Sequence, residues 1–81
     1  MSITIKPNTY YKRYYNINEY NIIYTDNKWV YIIAYKLGNQ PLVKYDKKRG
    51  WGTIKRYQEF INDKNYKIEE ISKEDLFLEL L

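Results

Sequence analysis

Six tyrosines fall within residues 8–24, "NTYYKRYYNINEYNIIY", interleaved with Lys12 and Arg13. A second aromatic and basic stretch, "KYDKKRGWGTIKRY" at residues 44–57, sets six Lys or Arg around Trp51 and between two tyrosines. Cations neutralise phosphates and exposed rings stack on bases, so both stretches suit contact with nucleic acid. The same residue types carry most of the energy at protein interfaces. They equally suit a core, because each ring can bury about 150–250 Å². Tyr10, Tyr11, Lys12, Arg13, Tyr14 and Tyr15 form one candidate partner-binding group, and Lys47, Lys48, Arg49, Trp51, Lys55 and Arg56 form the other.

Catalysis has little to work with. The chain has no histidine and no cysteine, which removes the usual neutral-pH base, the strongest nucleophile, disulfides and the common zinc ligands. Ser2 stands at the terminus and Ser72 serves better as a helix cap. The carboxylate pairs Glu69-Glu70 and Glu74-Asp75 suit opposite faces of a strand and the solvated side of a helix. Gly50 and Gly52 lack the spacing of phosphate-binding glycine loops, and no RNP aromatic pattern is present. No catalytic residue, cofactor or metal site is expected.

With 81 residues the chain is long enough for one domain, 1–81, and its core must be thin. The aromatic fraction of 19% takes the place of a disulfide or metal staple. The longest apolar or aromatic run, "WVYIIAY" at 29–35, is far short of a membrane span of roughly 20 residues. "MSITIKPN" has no secretion signature, so an intracellular location, the cytoplasm of a bacterial host, is the default expectation. Asn, Lys, Ile and Tyr supply 41 of the 81 residues, the bias of a low-GC genome such as many bacteria and phages have.

Charge is divided along the chain. Residues 1–56 carry eleven Lys or Arg against three acids, +8, and residues 57–81 carry three Lys against seven carboxylates, −4. Such a division favours an electrostatically steered partner, unless folding brings the halves together.

The elements that must position these residues follow from periodicity. "SITIK" alternates like a strand and ends at Pro7-Asn8. In residues 9–18 the i,i+4 tyrosine pairs after Thr9 suit a short helix, whereas tyrosine itself favours strands; a strand or irregular segment is the reading taken here. "EYNIIYT" and "KWVYIIAYK" around Asp26-Asn27 predict a hairpin over 19–36. Its second strand is apolar on both sides, with Trp29, Tyr31, Ile33 and Tyr35 on one and Val30, Ile32 and Ala34 on the other, so it should be covered on both faces. After the Gly38-Asn39 turn comes a short strand, "PLVKY", and "DKKRGWG" reads as a turn or loop. Thr53 can cap a helix over about 53–63, whose Ile54, Tyr57, Phe60 and Ile61 make one apolar stripe. "YKIEEI" predicts a strand. Ser72 and Asp75 stand in capping-box positions before a short C-terminal helix carrying Leu76, Phe77, Leu80 and Leu81, which must dock on this chain or another.

The expected fold is therefore α+β, an antiparallel sheet built on the hairpin, packed by the 53–63 helix, with a short C-terminal helix. Tyr20, Tyr24, Tyr31 and Tyr35 are expected to be structural, and Tyr10, Tyr11, Tyr14 and Tyr15 to form the surface group. A non-catalytic binder of macromolecules is the expected function. Its partner is expected to be a protein, one that itself handles nucleic acid, which this chain inhibits or adapts; anti-CRISPR and other anti-defence inhibitors are examples of that class by size and composition. The alternative is direct nucleic-acid binding through residues 44–57. No membrane partner is expected. A homodimer is expected if the C-terminal leucines find no site within the chain.

Overall fold

The computed structural model describes residues 3–81, and Ser2 lies outside them. Seven elements follow in order: β1 (Tyr10–Asn16), β2 (Glu19–Thr25), β3 (Trp29–Lys36), β4 (Val43–Thr53), α1 (Ile54–Lys64), β5 (Lys67–Ile71) and α2 (Lys73–Glu79). The strands form one antiparallel sheet in the order β4-β3-β2-β1-β5, which is the α+β arrangement expected. The predicted hairpin is β2–β3. Its turn is held by Asp26, whose carboxylate accepts from the backbone N–H groups of Lys28 (2.8 Å) and Trp29 (2.7 Å).

α1 carries the chain from the β4 edge to the β5 edge. Its 11 residues extend about 16 Å, close to the width of a five-strand sheet, so one helix can cover the whole face. Thr53 caps it by accepting from the Arg56 N–H, and Asn65 ends it in the left-handed conformation (φ 54°). Tyr57 and Ile61 from its apolar stripe pack with Tyr11, Ile23, Val30 and Ile68 into the larger core. The opposite face is partly covered by α2, capped by Ser72 accepting from the Asp75 N–H. Leu76 of α2 closes a smaller core of Tyr20, Ile22, Ala34 and Ile71. With 7 residues, about 10 Å, α2 is too short to cover its whole face.

Three expectations are corrected. "SITIK" is not a strand over its described residues, because no strand lies beside it. The Gln58 side chain serves instead: the Ile5 N–H donates to its Oε1 (2.6 Å) and its Nε2 donates to the Ile3 carbonyl (2.9 Å). Residues 46–52, "DKKRGWG", are not a loop but part of β4, an edge strand paired to β3 alone. Charged residues suit an edge, where one side of the backbone stays unpaired. Irregular register absorbs the glycines: Trp51 is an extra residue between the Tyr31–Gly50 and Val30–Gly52 pairs, and Gly52 has a φ of 150° that side-chain-bearing residues rarely adopt. Finally, Val30, Ile32 and Ala34 do not share a face. The register slips at Ile33, so Val30 and Ile32 pack on the α1 side while Ile33 and Ala34 pack on the α2 side.

Candidate binding surface

Strand alternation separates the tyrosines of residues 8–24 into two sets. Tyr11, Arg13 and Tyr15 face α1, and Tyr10, Lys12 and Tyr14 face α2. Two members of the expected surface group are therefore interior: Tyr11 is 0% exposed and Arg13 6% exposed. The Tyr11 hydroxyl is also structural, accepting from the Lys6 N–H (2.8 Å). Lys12 is largely covered as well; its ammonium donates to the Glu79 carboxylate and lies 4.6 Å from the Tyr20 ring centre. Tyr10 and Tyr14 are half-buried, and Tyr15 alone of the four tyrosines is exposed.

The hairpin tyrosines reverse in the same way. Tyr20 is buried, but Tyr24, Tyr31 and Tyr35 are only half-buried. Register places Tyr10, Tyr24 and Tyr31 side by side across β1, β2 and β3, on the face that α2 only partly covers. Their ring centres are 5.0 Å (Tyr10 to Tyr24) and 6.4 Å (Tyr24 to Tyr31) apart, so the row is continuous. Lys48 of β4 lays its ammonium over this row, 4.7 Å from Tyr24 and 5.5 Å from Tyr31. At the same end, the Tyr31 hydroxyl donates to Asp26 (3.0 Å). That bond raises the Tyr31 pKa, and the Trp29 and Lys28 backbone bonds hold the Asp26 carboxyl below its ordinary value.

The β4 edge beside the row carries exposed Lys44, Lys47, Lys48 and Arg49, with Arg49 stacked 4.7 Å from the Tyr45 ring centre. Lys55 and Arg56 are exposed in the first turn of α1. Trp51, grouped with them by sequence, is instead an anchor: its ring meets Tyr57 at 4.7 Å and Phe60 at 5.1 Å. The opposite edge is acidic, with Glu69 and Glu70 on β5 and Glu74 and Asp75 opening α2. Folding cancels part of the charge division through Lys6–Glu70 (2.9 Å) and Lys12–Glu79, but the excess cations and excess acids remain at opposite sheet edges.

No family model, no curated protein and no solved structure matches the chain. Among the described residues, no group of three or more carboxylates is placed to hold a metal ion, and no helix is long and apolar enough to cross a membrane.

Sequence reasoning missed Tyr24 and Tyr31 as surface residues. The available signal was the shortness of the C-terminal helix: two turns cannot shield a whole face of a five-strand sheet. It also missed that α2 buries Leu76 and partly buries Leu80 while Phe77, Leu78 and Leu81 stay exposed, so docking within the chain is only partial.

Proposed function

We propose that this chain is a non-catalytic binding protein whose working surface is the basic β4 edge together with the Tyr10–Tyr24–Tyr31 row, and that its partner is a protein presenting carboxylates. The observation that carries the reading is the half-buried row of rings with Lys48 over it beside an unpaired, cationic strand edge. Aromatic rings and cations on a rigid sheet give a partner a preorganised surface. A protein suits it better than nucleic acid. Lys48 lies over the rings of Tyr24 and Tyr31, where a base would have to stack, whereas a protein side chain can meet the row from its edges. Outside this surface, at the opposite sheet edge, Glu69, Glu70, Glu74 and Asp75 carry the charge that a basic nucleic-acid groove accepts. A partner with both a carboxylate patch and such a groove therefore fits best, and the chain reads as an inhibitor or adaptor of a nucleic-acid-handling protein, the anti-defence class of small phage proteins included.

A second reading is favoured by the exposed Lys47, Lys48, Arg49, Lys55 and Arg56: direct binding of nucleic acid. Affinity would then fall log-linearly and steeply with salt. Affinity capture from a bacterial lysate, with and without nuclease, separates the two. A stoichiometric protein retained after nuclease supports the first reading; loss of all captured material on nuclease treatment rejects it in favour of the second.

A further inference from the structure

Arg13 is 6% exposed, and among the described residues it has no carboxylate partner. Aromatic rings surround it instead: its guanidinium carbon lies 4.4 Å from the Tyr15 ring centre, 4.7 Å from Tyr66 and 5.6 Å from Phe60. One Nη donates to the Tyr15 hydroxyl, while its Nε has no acceptor among the described residues. The buried Asn21 side chain donates to the same Tyr15 oxygen (3.0 Å). Among the described residues the buried Tyr57 hydroxyl also lacks a partner. Two donors, an Arg13 Nη and the Asn21 amide, thus converge on one neutral phenol oxygen, while the buried Arg13 Nε is unused.

Two of the rings have a second role. Tyr15 and Tyr66 are walls of an open recess of ≈ 540 Å³, completed by residues that include Ile17, Asn65 and Lys67. Tyr15 is the movable wall: it is 52% exposed and stands where the β1–β2 register slips, between Tyr14 and Asn16. Turning its ring outward would join the Arg13 and Asn21 donors to the recess. A side-chain rotation of this kind is fast and local.

We propose that Arg13 anchors a binding site for an oxyanion, a carboxylate or a phosphate, which enters the recess over Tyr66 and replaces the Tyr15 phenol oxygen. An anionic oxygen accepts charge-assisted bonds that a phenol oxygen forms weakly, and an arginine fork can hold two oxygens at once. The exposed and half-buried apolar walls, Ile17 and Tyr66, suit an anion attached to an apolar or aromatic body. This site lies on the α1 side near the β1–β2 turn, away from the β4 edge, and stands independently of the proposed partner surface.

The test is a titration of ¹⁵N-labelled protein with inorganic phosphate and, separately, with benzoate, at constant pH and ionic strength set with chloride. The expected result is a saturable shift of the Arg13 Nε–H resonance with Tyr66 and Lys67 amides for at least one of the two anions, and the stronger response identifies phosphate or carboxylate as the preferred group. Tyr15→Phe, which keeps the ring and removes the competing oxygen, should lower the dissociation constant several-fold. Arg13→Gln should weaken binding at least tenfold. An Arg13 resonance unmoved by both anions overturns the proposal, as does a shift that never saturates or a folded Arg13→Gln variant that binds as wild type. Weaker binding by Tyr15→Phe contradicts the replacement of the phenol oxygen. Should Arg13→Gln fail to fold, the wild-type and Tyr15→Phe titrations decide.

Discussion

Arg13 and Lys48 are both cations held by tyrosine rings, yet one is sealed beneath α1 and the other lies open over the opposite face. The difference comes from the helices. α1 runs from one sheet edge to the other, and with Phe60 from the helix, Tyr66 after it and Tyr15 from β1 packed around it, Arg13 loses its water. The 7-residue α2 stops short, leaving Tyr24, Tyr31 and Lys48 in contact with solvent. Similar side-chain chemistry is therefore enclosed on one face and left accessible to the proposed partner on the other.

The largest effect should come from breaking the sealed side. Tyr57→Ala empties a nearly fully buried ring site and should cost about 3–5 kcal/mol in urea-unfolding experiments. Tyr31→Ala, half-buried on the open side, should cost about 1 kcal/mol by the same measurement. Equal losses would mean that the two faces are packed alike.

Charge removal should separate the two cations next. Arg13→Met replaces an uncompensated buried charge by an apolar chain and should leave stability unchanged or raise it by about 1–2 kcal/mol. Lys48→Met, at the surface, should change it by less than about 0.5 kcal/mol. A large loss for Arg13→Met would show that the three rings more than offset the desolvation of the guanidinium.

Titration gives the smallest and most local effects. Burial pushes the Glu79 pKa up, but hydrogen bonds from Lys12 and Tyr20 outweigh it and leave the net value below 4.5. A lowered folded pKa means that this stabilisation is whole above the unfolded value and is lost as pH falls through the folded one. Wild-type stability should therefore fall more steeply than that of Glu79→Gln on acidification from pH 5 toward pH 3. Tyr14 has the opposite sign. Burial first, then its bond to Glu69 (2.8 Å), raise its pKa from 10.0 to about 12, so its stabilisation is whole below pH 10 and is lost as pH rises through the folded value. Ultraviolet titration should show Tyr14 ionising about two pH units later than in unfolded chain.

Local pattern made several elements legible. Alternating residues around Asp26 specify the β2–β3 hairpin, and the Thr53 cap followed by Ile54, Tyr57, Phe60 and Ile61 specifies α1. Where the partner decided, the sequence was silent. Ile3 and Ile5 alternate like a strand but meet a glutamine side chain instead of one. Asp46 and Gly50 read as a turn, yet an edge strand tolerates both when extra residues bow away from its only neighbour. Which of two adjacent tyrosines is buried depends on the parity of β1, and in Tyr10-Tyr11 composition is identical on either choice. For that reason residues 44–57 were readable as a cationic segment, while the Tyr24–Tyr31 part of the surface emerged only from strand register.

The β4 edge and its tyrosine row are most directly tested by nuclease-treated capture with three baits: wild type, a Lys47→Glu, Lys48→Glu, Arg49→Glu triple variant, and a Phe77→Ser, Leu78→Ser variant on the exposed side of α2. One stoichiometric protein should be bound by wild type and by the α2 variant but reduced at least tenfold with the triple variant, all three baits being folded by circular dichroism. Undiminished capture by the triple variant, with loss in the α2 variant, would contradict this assignment and move the working surface to the exposed Phe77–Leu78 side of α2.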